Sequence, residues 1–353
     1  MENKYLIILV NLIFIVSGAA SEEDTLLSVV QAFRHGERTP VLFYLTDPYK
    51  DSSYWDGLST GQLTNYGKIQ LMELGKYFRD RYDGFVSSSY SEDEIYVRTV
   101  SGKRNLLSAE AFLAGLYPDE EVDMKVHQAP IAVVGNLQDC LRYDIEWLEL
   151  EATNEYFKKI NEDNSEDYKY IRENSLFPVY GLETAYGIWD TLHIEKRFNY
   201  TLPEWTDSVF PEKLTKMSDI YAQSLCYDEN LQKLGAGGFI NALIDHFDSI
   251  LTSDPSQKIQ LYSVHDTNIA CFLNAFDAFS EPHIPDFASS LIFELRQDSK
   301  GSYVNSYYKP ANEAVPINLR GCAFDCRIED FRTLFSNIKL SEIEWVEKCY
   351  TPL

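Results

Sequence analysis

Two arginines and a histidine lie within one short stretch that follows an apolar run. Arg34, His35 and Arg38 belong to the stretch 31–40, which directly follows segment 26–30, whose leucine and valine residues predict a buried strand. Paired guanidinium groups suit the planar recognition of phosphate oxygens, and an imidazole beside them is suited to act as a nucleophile. Gly36 lets the backbone approach a ligand closely. The stretch therefore predicts an anion site where a strand ends in a loop.

Two further motifs place charged groups after predicted strands. Segment 94–100 predicts a second strand, and Arg104 falls in the first turn of the helix expected over 103–116. A cation there opposes the helix dipole, which is understandable if an anion binds nearby. A third predicted strand ends at His265 and Asp266, where the simplest interpretation of Asp266 is a helix cap. Because ligands of open α/β sheets bind beyond the strand ends, we expect these motifs to converge.

The stretch Arg34–Pro40 resembles the R-H-G-x-R-x-P signature of the histidine acid phosphatases, a branch of the phosphoglycerate-mutase-like superfamily. Segment 64–82 resembles the family run L-T-x-x-G … L-G-x-x-x-R-x-R-Y, and segment 96–109 resembles Y-x-R-S-T-D-x-x-R-T-x-x-S-A. The last match departs from the family at 99–101, where Thr-Val-Ser replaces Ser-Thr-Asp. This departure leaves open how Arg104 is oriented.

The resemblance implies a fold and a division of the chain. We expect an α/β fold in which a mixed central sheet is flanked by helices, with a smaller inserted helical domain. The α/β domain would comprise residues 21–140 and 235–353, and the helical domain would comprise residues 141–234 and cover the site. Residues 1–20 combine an early lysine, an apolar core and small residues, which predicts a secretory signal peptide.

The resemblance also implies a reaction, the hydrolysis of a phosphate monoester through a phosphohistidine. His35 would be the nucleophile and Asp266 the proton donor. The groups assigned to phosphate binding are Arg34, Arg38, Arg104 and His265. Neither a metal nor another cofactor is expected, because guanidinium groups supply the positive charge and the other histidines show no paired ligand spacing.

The overall charge restricts the partners of the protein. Against 31 basic residues stand 55 acidic ones, a formal charge of −24, which disfavours nucleic acids and anionic membranes as partners. The expected partner is a small phosphate monoester. No stretch after the signal peptide is apolar enough to span a bilayer, so we expect a secreted protein, with Asn199 as a glycosylation site. The oligomeric state stays open, a homodimer being one alternative.

Six cysteines in a secreted chain predict disulfide bonds, and fifteen complete pairings are possible. The resemblance implies two bridges, Cys140 with Cys349 and Cys322 with Cys326. Cys226 and Cys271 remain. We expect them to be buried thiols, with a separate bridge as the alternative.

The glycine-rich segment 235–238 predicts a turn before a helix over 239–247. It lacks the Gly-Lys-Ser/Thr ending of a phosphate-binding loop.

Two other functions compete with the phosphatase hypothesis. A catalytically weakened relative would use the former active-site pocket to bind a small molecule, since fold alone does not fix function. The presence of nucleophile, arginines and proton donor favours an enzyme instead. A mutase or phytase is the third alternative, although phytate would require a broadly basic pocket that this acidic chain does not suggest.

Overall fold

The structure is a computed structural model that describes residues 24–119, 124–252 and 257–350. The expected signal peptide over 1–20 lies outside the described residues. Within the described ranges, no helix combines the length and the apolar character needed to cross a membrane.

The described residues form one mixed sheet. Its strands are β1 Thr25–Arg34, β2 Ile95–Thr99, β3 His127–Gln128, β4 Ile259–Val264, β5 Ser290–Asp298, β6 Gly301–Lys309, β7 Val315–Pro316 and β8 Cys326–Arg327. The order is β3-β2-β4-β1-β5-β6-β7, with β8 paired to β6. Strands β1 to β4 pair in parallel, whereas β5 to β8 are antiparallel to their neighbours. The expected mixed α/β sheet is therefore confirmed.

Strand β1 lies at the centre because both of its faces are apolar. Val29 and Phe33 pack into the core under α1 and α2, while Val30 and Ala32 pack into the core on the opposite face. Alternate residues of a strand point to opposite faces, so this pattern fixes β1 between two layers of helices. The charged end of β1 then emerges at the edge of the sheet.

The helices cover both faces of the sheet and form the segment between β3 and β4. They are α1 Asn65–Arg81, α2 Lys103–Leu116, α3 Leu141–Thr153, α4 Glu155–Asp163, α5 Ser165–Ser175, α6 Leu182–Arg197, α7 Glu212–Ser224, α8 Glu229–Thr252, α9 Asp266–Ala275, α10 Ile328–Phe335 and α11 Glu342–Tyr350. One continuous apolar core joins the helical segment to the sheet and includes Trp147, Ile171 and Phe272. The expected end of the helical domain at residue 234 falls inside α8.

The turn expected at residues 235–238 is wrong, because these residues lie within α8. A Cβ added at Gly237 would lie 2.4 Å from the carbonyl oxygen of Ile338, and one at Gly238 would collide with the carbonyl oxygen of Ala132. The glycines therefore permit close approach of neighbouring backbone to the helix. Tertiary packing here outweighs the low helix propensity of glycine.

All six cysteines, which lie within the described residues, are paired. Cys140 is bonded to Cys349, and Cys322 to Cys326, the two bridges that the resemblance implied. The expectation that Cys226 and Cys271 are thiols is wrong, since these residues form a third bridge. Gly235 makes it possible by leaving room, because a Cβ there would lie 2.5 Å from the Cys226 sulfur.

Candidate active site

The end of β1 and the following loop present the first part of the site. The backbone N–H of His35 donates to the Val264 carbonyl at 3.1 Å, so the loop continues the pairing of β1 with β4. A Cβ at Gly36 would lie 2.2 Å from the carbonyl oxygen of Gly67 in the first turn of α1. Glycine at this position is therefore required by the contact between loop and helix. The contact between Gly36 and Gly67 therefore fixes the position of the loop that carries His35.

The parallel pairing of β1 with β4 brings the second motif beside the first. Arg34 is in register with Val264, so His265 and Asp266 begin where β1 ends. The imidazole centres of His35 and His265 lie 5.4 Å apart, with the rings nearly perpendicular. Both imidazoles can therefore contact one phosphate group, as the sequence motifs suggest.

Arg104, in the first turn of α2, also lies at this site, although residues 99–101 before it depart from the family motif. Its Nη2 lies 3.5 Å from Nδ1 of His265, a long hydrogen bond, and its Nη1 lies close beneath Gly61. The start of α2 is fixed by Asn105, whose side-chain amide donates to the Val264 carbonyl at 3.0 Å. Arg104 thus points towards the histidines. The other arginine of this segment, Arg98, lies elsewhere, against the ring of Tyr96.

Helix α6 supplies carboxylate and phenol groups that the sequence did not reveal. Asp190 accepts two hydrogen bonds from Arg38, at 2.9 and 3.1 Å, and both side chains are buried. Tyr186, one turn earlier, donates its hydroxyl proton to Asp266 at 2.9 Å. Arg197, two turns later, pairs with Glu37 at 2.9 Å. One face of α6 therefore orients the signature loop and Asp266.

The arginine side chains are held by groups that leave part of each guanidinium free. Arg34 contacts Asp266 at 2.5 Å and donates to the Pro285 carbonyl at 2.7 Å. Its guanidinium carbon lies 4.1 Å from the ring centre of Phe287, within range of a cation–π interaction. Within the part of the chain that the structure describes, the buried Nε atoms of Arg34, Arg38 and Arg104 have no hydrogen-bond partner. Such clustered, undersatisfied donors fit an anion.

The hydrogen bonds of the two histidines indicate different tautomers. His35 Nδ1 lies 2.9 Å from the carbonyl oxygen of Gly36, which can only accept, so the proton is on Nδ1 and the lone pair on Nε2. His265 Nδ1 accepts from Arg104, which leaves the proton on Nε2. The site therefore offers one imidazole nitrogen as a nucleophile and another as a hydrogen-bond donor.

Burial and neighbouring charges keep both imidazoles neutral. Burial is the main reason that the pKa of His35 lies well below its usual range, and Arg104 and Arg34 lower it further. Burial and then Arg104 lower the pKa of His265 to about 3. Burial and then Arg38 also lower the pKa of Arg104, to about 10, so this side chain still carries its charge. Positive charge thus resides on the arginines and not on the imidazoles.

Asp266 is a carboxylate in this arrangement. Burial alone would raise its pKa, but Arg34 and Arg38 outweigh burial and lower the pKa to about 2. Asp266 also begins α9, where a negative charge is favoured by the helix dipole. Any change that neutralises the two arginines would therefore raise the pKa of Asp266.

The site has the residue types of a phosphate-transferring centre, and comparison with known proteins agrees. Residues 25–309 match the model described as "Histidine phosphatase superfamily (branch 2)". This chain belongs to that family. It is 30% identical to rat prostatic acid phosphatase (Rattus norvegicus) over 91% of this chain and 88% of that protein. It is also 31% identical to the lysosomal acid phosphatase of Xenopus laevis, over 92% of this chain and 78% of that protein.

Solved structures agree on the fold. The phytase of Hafnia alvei in complex with tartrate superposes with a TM-score of 0.70 at 18% identity, covering 91% of this chain and 98% of that one. The phytase of Citrobacter braakii gives a TM-score of 0.69 at 17% identity, covering 91% and 99%. At such identities the likeness concerns the fold alone.

The site residues of α6 that the sequence analysis did not identify share one sequence pattern. Tyr186, Asp190 and Arg197 recur at spacings of four and seven, which places them on one face of α6. Polar residues at that spacing on a largely buried helix could have pointed to a site. Phe287 carried no comparable signal, because a single aromatic residue in a loop is common.

Proposed function

We propose that this chain hydrolyses phosphate monoesters in two steps, with His35 forming a phosphohistidine and Asp266 protonating the departing alcohol. The observation that carries the proposal is the free Nε2 lone pair of a neutral His35 among three arginines. Family membership supports the reaction class, since the acid phosphatases named above are relatives over most of the chain.

The lowered pKa of His35 explains how a histidine nucleophile would work at acid pH. A histidine with an ordinary pKa of about 6.5 is mostly protonated at pH 5 and has no lone pair to donate. Burial and the neighbouring arginines keep His35 neutral there. The same arginines attract the phosphate dianion, so one set of charges both binds the substrate and activates the nucleophile.

Substrate binding would also prepare the proton donor. In the free site Arg34 and Arg38 hold the pKa of Asp266 at about 2, so the carboxylate has no proton to give. A bound phosphate neutralises the same two arginines. The pKa of Asp266 then rises, because its burial opposes charge, and the carboxylate takes up a proton as substrate binds.

In the first step, Nε2 of His35 would attack phosphorus while the bond to the alcohol oxygen breaks and Asp266 gives that oxygen its proton. The arginines and the Nε2–H of His265 stabilise the equatorial oxygens. In the second step, Asp266 removes a proton from water as the water oxygen attacks phosphorus. Phosphate leaves, and His35 regains its lone pair.

The binding-protein alternative is not favoured, because nucleophile, arginines and proton donor lie together in one buried site. We further propose that the protein is secreted and that Asn199 is glycosylated. The three disulfide bonds are typical of an oxidising compartment, and Asn199 is exposed just after α6.

The proposal is tested by trapping the intermediate. Quenching the reaction of ³²P-labelled substrate within milliseconds should leave label on the protein that is stable in alkali and labile in acid, as a phosphohistidine is. His35→Ala should abolish both the label and the release of p-nitrophenol from p-nitrophenyl phosphate. His127→Ala, in the edge strand β3, is the matched control and should retain both. Turnover or label in His35→Ala at the wild-type level would overturn the assignment.

A further inference from the structure

A cavity of about 300 Å³ opens beside the phosphate site. It lies between α6, α7 and the loop that leads into β5. Its lining residues are Arg34, Trp189, Asp190, His193, Thr215, Asp219, His283, Ile284, Asp286 and Phe287. Such a volume is at the small end of ligand pockets, sufficient for a short alcohol but not for an inositol ring carrying several phosphates.

The cavity borders the catalytic groups through two of its lining residues. Arg34, which contacts Asp266 at 2.5 Å, forms one wall, and Phe287, whose ring centre lies 6.0 Å from that of His35, forms another. An ester oxygen placed to receive the proton of Asp266 would therefore direct its carbon chain past Arg34. The apolar surfaces of Trp189 and Ile284 flank that path.

The far part of the cavity carries negative charge. Asp219 on α7 is half-buried and accepts the backbone N–H of Ile284. Asp286 also lines the cavity, and its contact with Arg197, at 3.7 Å, is a loose one. The positive charge of Arg34 faces Asp266 and the phosphate site, where bound phosphate would neutralise it. The alcohol part of a substrate would thus meet aspartates after leaving the basic phosphate site.

We propose that this cavity is the binding site for the alcohol part of the substrate and that it selects alcohols bearing an ammonium group over those bearing further acidic groups. The proposal rests on the proposed function for the position of the phosphate. The ammonium group would be held by Asp219 and Asp286, and the short carbon chain by Trp189 and Ile284. Aminoalkyl phosphates are the corresponding substrate class.

The first test uses non-hydrolysable phosphonates, so it does not depend on turnover. Phosphonates with two or three carbons and a terminal amine, hydroxyl or carboxylate are titrated into the intact wild-type protein, and their dissociation constants are measured by calorimetry. At the better chain length, we expect the amine to bind on the order of tenfold more tightly than the hydroxyl, as one charge-assisted hydrogen bond provides. The carboxylate should bind most weakly.

The second test removes one carboxylate. Asp219→Asn should lose on the order of tenfold in affinity for the aminoalkyl phosphonate and should gain affinity for the carboxylate analogue. Asp93→Asn, an exposed aspartate outside the cavity, gives the same change of net charge and should retain the wild-type order. If Asp219→Asn does not fold, Asp286→Asn provides the same comparison.

The outcomes separate this proposal from the reaction itself. Equal binding of the amine and hydroxyl compounds by wild type, or tighter binding of the carboxylate, would overturn the ammonium site even if p-nitrophenyl phosphate is hydrolysed. The expected order of binding in a protein that hydrolyses no phosphate ester would support the ammonium site and overturn the proposed reaction.

Discussion

A buried pair of carboxyl groups should make this protein more stable in acid than at neutral pH. Glu195, on α6, is fully buried and interacts electrostatically with Asp47, which lies in the loop after the signature motif. Asp47 accepts the backbone N–H of Tyr49 at 2.7 Å, so we expect Asp47 to be the ionised partner and Glu195 to hold the proton that the two carboxyl groups share. Burial, and then the Asp47 charge, raise the pKa of Glu195 to about 9.

The size of this pH effect follows from the number of protons that the folded and the unfolded protein bind. Between the unfolded pKa of a glutamate, about 4.3, and the folded value of about 9, the folded protein holds one more proton than the unfolded chain. The free energy of unfolding therefore falls as pH rises, by about 1.4 kcal/mol per unit. The loss from pH 5 to pH 7 is about 2–3 kcal/mol. The raised pKa of Asp47 acts in the same direction.

Glu195→Gln isolates this effect, because an amide donates to Asp47 without needing a proton from solution. Melting temperatures of wild type and variant, measured without reductant at pH 5 and pH 7, should converge in acid and differ at neutral pH, where the variant melts about 3–4 °C higher. Glu173→Gln, at an exposed site on α5, should follow wild type. A parallel decline of wild type and Glu195→Gln between the two pH values would refute the shared proton.

Three further predictions concern the site and the third disulfide. Asp266→Asn should slow the hydrolysis of alkyl phosphates about 10²- to 10⁴-fold more than that of p-nitrophenyl phosphate, whose leaving group needs little protonation; equal losses would exclude a proton donor. Arg104→Ala should lower kcat/KM on the order of 10²-fold, whereas the neighbouring exposed Lys103→Ala should not; equal rates would place Arg104 outside the reaction. Gly235→Ala should destabilise the protein by about 1–3 kcal/mol in urea unfolding, because its Cβ would lie 2.5 Å from a disulfide sulfur. Gly181→Ala, whose nearest contact is 3.4 Å away, should have a smaller effect.

Local patterns in the sequence were sufficient to predict the strands and the helix that carry the main motifs. Apolar, β-branched runs predict β1, β2 and β4, and the helix predicted over 103–116 has the bounds of α2. Such elements depend on neighbours along the chain, and their periodicity is visible without a fold. Because the strands are parallel and adjacent, their ends meet, so the convergence of His35 with His265 followed from the motifs.

The sequence failed where a residue's environment is set by distant parts of the chain. Gly235 and its neighbours are typical of a turn, but they lie in α8 because other segments press against that helix. Cys226 and Cys271 are far apart in the sequence, and only folding brings their sulfurs together. Pairing and close packing are properties of three-dimensional contact, which local propensity does not contain.

The same division applies to the chemistry. The residue types of the signature and of the His-Asp pair were enough to indicate phosphate chemistry, because guanidinium, imidazole and carboxylate groups have fixed reactivity. The state of each group depended on the fold: α6 brings Asp190 to Arg38 and Tyr186 to Asp266, and burial sets the pKa values. Sequence thus determined which groups are present. Tertiary structure decided their protonation and partners, because desolvation and charge–charge interactions depend on distances that only the folded chain defines.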